Sequence, residues 1–167
     1  MQYLQIDCSN RSLTNIFSAE EWQTLQNGDI IFEIINLNHN NISQIPEIPT
    51  YPVKSLYLSF NKIDNIAIGA FQNLTQLTIL DLSHNKLTSK SLNPHIFKGS
   101  YVTDKYLPMQ SLISLDLAYN EMHTLHSDVF EHLPNLETLI LCKNVFREID
   151  TSTLIAIASL PSLKVSN

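Results

Sequence analysis

The sequence predicts an α/β solenoid, with a curved, parallel β-sheet on its concave face and short helices and loops on its convex face. Two observations predict this fold. One pattern of apolar residues recurs along nearly the whole chain, and an asparagine closes each copy, at steps of 21, 24, 35 and 24 residues. Units of this kind stack side by side, so that each copy stabilises its neighbours.

The stretch Leu77–Leu87 shows one copy of the pattern, in the form L-x-x-L-x-L-x-x-N-x-L. Apolar residues with a period of two lie on one face of a strand, and the residues between them lie on the other. Asn85 follows the strand where the chain turns away, and its amide can pair backbone N–H and C=O groups of the turns. We therefore expect the asparagines of all copies to form one buried column. They are Asn40, Asn61, Asn85, Asn120 and Asn144.

The pattern divides the chain into three parts. Residues 1–16 are predicted to form a partial N-terminal cap repeat, in which Cys8 takes a core position and Arg11 stands in place of the asparagine. Residues 17–163 hold five repeats, and residues 164–167 begin a truncated sixth. Because a solenoid needs cover over its last core layer, we expect an uncapped C-terminal end that is open to association.

Two segments between strands are predicted to be helical. Ser18-Ala-Glu-Glu21 has the form of a capping box, and it precedes a short apolar face that contains Trp22. In the fifth repeat we expect Ile149 in the core, followed by a helical stretch over residues 151–160, where alanine and leucine recur at helical spacing.

An insertion at residues 89–110 interrupts the regular period. We expect a mobile loop around residues 98–105, since long loops are usually functional or disordered. Phe97 and Leu107 are predicted to be its convex core residues.

The repeat pattern, the 24-residue period, the convex phenylalanines and the cap-like Cys8 resemble the extracellular class of leucine-rich repeat proteins. That class includes Toll-like receptor ectodomains, Slit and the small leucine-rich proteoglycans, and the resemblance covers residues 4–163. It implies a non-catalytic protein-binding module. The main interpretation is the ectodomain, or a fragment of it, of a secreted or cell-surface receptor in innate immunity or cell adhesion. The alternatives are a secreted matrix protein of the small-proteoglycan type and an intracellular leucine-rich repeat scaffold.

The concave face is where the resemblance places a protein ligand or co-receptor. Its outward positions follow from the strand register, and aromatic residues among them are good candidates because they dominate many interfaces. The predicted protein-binding residues are Ile34, Asn36, Tyr57, Phe60, Ile79, Asp81, Asp116, Tyr119 and Ile140.

Three sequons favour a protein outside the cell or on its surface. They begin at Asn10, Asn41 and Asn73, and each can be placed at or beside an exposed turn. The chain has no apolar run long enough to cross a membrane, and its first residues do not resemble a secretory signal peptide.

Composition and motifs argue against other functions. With three glycines there is no glycine-rich phosphate loop, and a net charge of −6 opposes a nucleic-acid partner. Cys8 and Cys142 lie five strands apart, about 24 Å, which is too far for a disulfide. His39 and His84 lie two repeats apart, about 10 Å, which is too far for a shared metal. We therefore expect no catalytic residue, cofactor or metal.

Overall fold

The main sheet of the chain consists of six short parallel strands. The computed structural model describes residues 4–164. Across the sheet the strands follow their order along the chain, so consecutive repeats are neighbours. The elements are β1 (Gln5–Asp7), α1 (Ala19–Asn27), β2 (Ile34–Asn36), β3 (Gln44–Ile45), β4 (Ser55–Tyr57), β5 (Asn65–Ile66), β6 (Ile79–Asp81), β7 (Lys98–Val102), β8 (Lys105–Pro108), β9 (Ser114–Asp116), β10 (Thr138–Ile140) and α2 (Thr151–Ala158).

The strand register is the one predicted from the period of two. The main sheet has the order β1-β2-β4-β6-β9-β10. Ile35 lies opposite Leu56, Leu56 opposite Leu80, and Leu80 opposite Leu115. These central residues are buried in one continuous core. The residues on either side of them therefore face outward, on the concave face.

The asparagines form the predicted column of hydrogen bonds, which is buried at Asn61, Asn85 and Asn120 and half-buried at its two ends, Asn40 and Asn144. The Oδ1 atom of Asn85 accepts from the N–H of Ile63 in the preceding repeat, at 2.9 Å. Its Nδ2 donates to the carbonyl oxygen of Leu58, also in the preceding repeat, and to those of Leu82 and Ser83 in its own turn. Asn40, Asn61, Asn120 and Asn144 make equivalent bonds. Each asparagine thus ties two consecutive turns together.

Both predicted helices are present on the convex side. α1 begins after Ser18, whose hydroxyl accepts from the N–H of Glu21 while the Glu21 carboxylate accepts from the N–H of Ser18. Its Trp22 is buried and contacts the rings of Phe17 and Tyr51. α2 is capped by Asp150 and buries Thr153 and Ala156.

The insertion does not form the loop expected from the sequence. Strands β7 and β8 pair as an antiparallel hairpin, in which Tyr101 lies opposite Tyr106. The two tyrosine rings contact each other at 4.9 Å between centroids, and Lys98 Nζ lies 4.6 Å from the centre of the Tyr106 ring. Backbone pairing and these ring contacts order a segment that lacks the repeat pattern, so the expectation of a loop at residues 98–105 is wrong.

Two predicted core residues are exposed. Leu107 is 40% exposed, and the buried Met109 takes its place before the next strand, since the N–H of Leu112 donates to the Met109 carbonyl as Leu77 does to Leu74. The pairing within the hairpin sets this shift. Ile149 is 52% exposed, because it belongs to the outermost repeat of the described part of the chain.

The ends of the chain are described in part. The N–H of Lys164 donates to the carbonyl of Glu137, which repeats the bond between Glu137 and Ile113 one repeat earlier. Residues 1–3 of the predicted cap and residues 165–167 of the predicted sixth repeat lie outside the described residues. None of the helices found between residues 4 and 164 is long and apolar enough to span a membrane.

We predict that Asn85→Ala lowers the free energy of unfolding by about 1 to 3 kcal/mol, because it leaves buried backbone groups of two turns without partners. Chemical denaturation measures the change. Asn41→Ala is the matched control, since Asn41 is exposed and lies beside the column. Equal stability of Asn85→Ala and the parent chain would contradict the structural role of the column.

A second prediction concerns the hairpin. A Cβ atom on Gly99 would lie 2.7 Å from the carbonyl oxygen of Leu107, on the paired strand, so Gly99→Ala must push β7 and β8 apart. We expect trypsin to cleave this variant faster after Lys98 and Lys105. Gly28→Ala is the control, because the nearest atom to its added Cβ lies at 3.5 Å. If cleavage of Gly99→Ala matches that of the parent, the hairpin is not held as described.

Candidate functional site

The concave side of the sheet carries three columns of side chains, with one residue from each repeat in each column. Most of these side chains are at least partly exposed, while Ser55, Ser59, Ser83 and Ala118 are buried. Two columns lie on the strands, and the third follows immediately after them. The first column is Gln5, Ile34, Ser55, Ile79, Ser114 and Thr138. The second column is Asp7, Asn36, Tyr57, Asp81, Asp116 and Ile140. The third column is Ser9, Asn38, Ser59, Ser83, Ala118 and Cys142. All predicted binding residues except Phe60 and Tyr119 belong to the first two columns.

Four aromatic rings form a continuous stack along the rim of this face, which we call the ring ladder. His39 stacks on Phe60 at 4.4 Å between centroids, Phe60 on His84 at 3.9 Å, and His84 on Tyr119 at 4.0 Å. The planes are within 12° of parallel. Phe60 and Tyr119 remain 45% and 46% exposed. The ladder therefore presents the ring edges to solvent beside the asparagine turns.

The backbone explains why the rings align. Every member of the ladder has a positive φ, between 52° and 56°, which residues other than glycine adopt uncommonly. The N–H of His39 donates to the Ser59 carbonyl, and that of Phe60 donates to the Ser83 carbonyl. Each ring is thus fixed to the next repeat, one strand spacing away.

The sequence places His39, Phe60, His84 and Tyr119 in the same position at the ends of their strands, but it does not predict that their rings stack. In the structure Phe60 lies between the two imidazole rings. The available signal was the recurrence of an aromatic residue or histidine immediately before the asparagine in four successive repeats.

Asp81 and Asp116 lie side by side in the middle of the concave face, and we call them the acidic pair. They are direct partners in the register of β6 and β9, so their Cα atoms are about 4.8 Å apart. The Oδ1 atom of Asp81 accepts from the N–H and hydroxyl of Ser83, and that of Asp116 accepts from the N–H of Ala118. Each carboxylate thus closes a small turn after its strand.

The pKa of Asp116 is raised above its usual value. Burial is the main cause, and the neighbouring charge of Asp81 adds to it. The hydrogen bond from Ala118 and the nearby His84 act in the opposite direction. The ionised form of Asp116 is therefore less stable in the folded chain than that of an aspartate in water.

Asn36 shows that the turn does not require a carboxylate. It occupies the same column, and its Oδ1 accepts from the N–H of Asn38 at 3.1 Å, in the manner of Asp116 and Ala118. Tyr57 and Ile140 stand at the same position in their own repeats. The fold therefore accepts a neutral residue here.

The three sequon asparagines lie in different surroundings. Asn10 and Asn41 are exposed and lie near the same edge of the sheet as the ring ladder, at its N-terminal end. Asn73 is half-buried on the convex side, where its Nδ2 donates to Oε1 of Glu47 and to the carbonyl of Ile48.

Cys8 and Cys142 are both free thiols in the structure. Cys8 is partly buried next to the core, and burial raises its pKa. Among residues 4–164 there is no group of three histidine, cysteine or acidic side chains that could hold a metal ion.

A comparison of the chain with models of protein families identifies the family of the repeats. The family model described as "Leucine rich repeat" matches residues 52–100 and 108–167. The chain belongs to the leucine-rich repeat family. The gap between the two matches falls within the insertion that forms the hairpin.

The chain is similar in sequence to osteomodulin, keratocan and lumican. Osteomodulin from Bos taurus is 31% identical over 129 residues, which cover 70% of this chain and 30% of that protein. Keratocan from Mus musculus is 28% identical over 120 residues, covering 72% and 31%. Lumican from Mus musculus is 36% identical over 104 residues, covering 62% and 27%. This leucine-rich repeat chain spans less than a third of the length of these relatives.

Two solved structures contain chains that share the solenoid fold of this chain. In the crystal structure of the TLR13–ssRNA13 complex, a chain with 28% identity superposes with a TM-score of 0.69, covering 94% of this chain and 20% of that one. The Drosophila melanogaster SNF/U2A′ complex contains a chain with 20% identity and a TM-score of 0.55, covering 99% and 76%. The second likeness shows the fold alone.

We predict that Asp116→Asn stabilises the chain slightly at neutral pH. A carboxyl whose pKa is higher in the folded state favours folding while it is protonated, and this contribution is lost as the pH rises through the folded pKa. The variant should therefore melt at most about 2 °C higher than the parent at pH 7, because the charge is partly screened by solvent. The gain should vanish below about pH 3.9, the value for an unfolded aspartate.

Thermal melts across this pH range provide the measurement. Glu148→Gln is the control, because it removes one exposed negative charge outside the concave face. A lower melting temperature for Asp116→Asn at pH 7 would show that the ionised carboxylate stabilises the fold.

Proposed function

We propose that this leucine-rich repeat chain is a non-catalytic module that binds a protein through its concave face. The observation that carries the proposal is the composition of that face, where Tyr57, Ile79 and Ile140 stand outward on hydrogen-bonded strands. Aromatic and aliphatic side chains held on a rigid sheet lose little freedom on binding, and they are typical anchors of protein interfaces.

The proposed site extends over the predicted residues in the two strand columns and onto the rim. Phe60 and Tyr119 of the ring ladder add exposed ring edges beside the strands. The proposed binding residues are Ile34, Asn36, Tyr57, Phe60, Ile79, Asp81, Asp116, Tyr119 and Ile140.

We further propose that the chain belongs to a secreted or cell-surface protein. The likeness to the TLR13 structure supports a receptor ectodomain, and the likeness to osteomodulin, keratocan and lumican supports a secreted matrix protein as the second candidate. The exposed sequons at Asn10 and Asn41 agree with either of these, and a third proposed glycan lies at Asn73 on the convex side. The proposed division is a cap repeat at residues 1–16, five repeats at 17–163 and a further repeat from 164.

A glycan placed on the concave face tests the proposed surface without depending on its charge. Tyr57→Asn turns residues 57–59 into the sequon Asn-Leu-Ser, so secretion from cultured eukaryotic cells should attach a bulky sugar in the middle of the second column. Extracellular proteins captured by the immobilised parent chain should be lost from this variant. Quantitative mass spectrometry of the captured proteins measures the loss.

Tyr57→Asn combined with Ser59→Ala is the matched control, because it keeps the asparagine and removes the sequon. Enzymatic removal of N-glycans, followed by mass measurement, counts the sugars on each protein. If the glycosylated variant captures the same proteins as the control, the binding surface lies elsewhere, and the hairpin of β7 and β8 is the next surface to test.

A further inference from the structure

We infer that the protein segment bound by the concave face is cationic, and that an arginine of that segment sits over Asp81 and Asp116 against the ring of Tyr57. This inference rests on the proposed function and names the chemistry of the partner.

The charges of the concave face have one sign. Its three columns contain Asp7, Asp81 and Asp116, and in the described residues no lysine or arginine stands in any of the eighteen positions. Basic side chains lie along the rim, where His84 is close to Asp116 and where Lys62 and Lys143 border the ring ladder. A basic surface is therefore complementary to this face, and electrostatic complementarity selects partners and speeds their association.

The positions that precede the strands do not change this charge. Lys54 forms an ion pair with Glu33 in the neighbouring repeat, at 2.6 Å. Lys164 forms one with Glu137 in the same way. These pairs balance each other, so the negative charge of the face comes from the second column.

The turns after the strands do not require the two negative charges of the acidic pair. Asn36 makes the same turn hydrogen bond without a charge, whereas burial and the adjacent charge of Asp81 both raise the pKa of Asp116. Two like charges fixed on adjacent strands destabilise the free chain. A cation placed over both carboxylates removes this repulsion and is attracted by both negative charges.

The surroundings of the pair favour arginine over lysine. A guanidinium group is planar and can bond two carboxylates through separate N–H groups, whereas an ammonium group is a single point charge. Tyr57 is the register partner of Asp81, so its ring lies next to the pair, where a guanidinium can stack on it. The exposed Ile79 lies two residues before Asp81 on the same face, where it can cover the aliphatic part of an arginine.

The negative charge of the concave face also argues against a nucleic-acid partner. Phosphate groups would approach Asp81 and Asp116 directly, and neutralising phosphates requires lysine or arginine on the binding surface. The RNA of the TLR13–ssRNA13 complex is a ligand of TLR13, so it is no evidence of RNA binding by this chain. RNA binding is therefore an outcome that the experiment must be able to detect.

The test measures binding of short, fluorescently labelled peptides to the parent chain by fluorescence anisotropy at about 0.15 M salt, where exposed charges are screened beyond about 8 Å. The peptides are oligoarginine, oligolysine and oligoglutamate of equal length, and single-stranded RNA is the fourth probe. We expect oligoarginine to bind most tightly, with oligolysine weaker and the other two weakest.

The decisive variant is Asp81→Ser combined with Asp116→Asn. Serine is used at position 81 because Asp81→Asn would create the sequon Asn-Leu-Ser with Leu82 and Ser83. We expect oligoarginine binding to weaken at least about tenfold. Glu131→Gln combined with Glu148→Gln removes the same charge from exposed positions outside the concave face and should change binding less than about twofold.

Two further variants keep the result interpretable. Asp116→Asn alone should weaken oligoarginine binding about threefold, and Asn36 shows that the fold accepts the substitution. Tyr57→Leu should reduce the preference for arginine over lysine, since it removes the ring but keeps an apolar side chain. Thermal melts confirm that each variant is folded.

The inference is overturned if both double variants weaken oligoarginine binding equally, if oligoarginine does not bind the parent chain, or if RNA binds more tightly than oligoarginine. The glycan experiment separates this result from the proposed function. Loss of captured proteins from the glycosylated Tyr57→Asn variant, together with unchanged oligoarginine binding by the acidic-pair variant, would leave the concave surface in place and exclude a cationic partner.

Discussion

The asparagine column is the constraint on which the rest of the structure depends. Each asparagine bonds an N–H of the preceding repeat through Oδ1 and carbonyls of both repeats through Nδ2, as Asn85 does with Ile63 and Leu58. These bonds fix the spacing of consecutive turns, whatever the chain does between them. The convex connections can therefore differ in length and structure, while the strands of the concave face stay in register. Residues 46–52 contain three prolines and form neither helix nor strand, whereas other connections hold the hairpin or a helix.

This division explains which parts of the fold could be predicted from the sequence. The strands, their register, the asparagine column and the capping box at Ser18 depend on residues within one repeat or on the strict recurrence between repeats. The hairpin depends on long-range pairing of two segments that lack the pattern, with Gly99 allowing the close approach of Leu107. The exposure of Ile149 depends on what covers the outermost repeat, which no local pattern describes.

The same distinction applies to the candidate site. The columns of outward residues follow from the period of two, so Tyr57, Asp81 and Asp116 could be placed correctly. The ring ladder could not, because stacking requires a positive φ at each member and a bond to the next strand, as His39 makes with Ser59. These requirements are three-dimensional, although the recurrence of rings before the asparagines is visible in the sequence.

The rigidity of the sheet also keeps the two charges of the acidic pair close together. Asp81 and Asp116 are separated by the longest step between repeats, yet backbone pairing of β6 and β9 holds their Cα atoms at a single strand spacing. On a flexible loop the two carboxylates would move apart and the repulsion would disappear. On this sheet they cannot separate, and the charge of Asp81 adds to burial, the main cause of the raised pKa of Asp116. A cation placed over both carboxylates relieves the repulsion. A proton and a cationic partner therefore compete for Asp116, and ionisation of Asp116 is a condition for holding the partner.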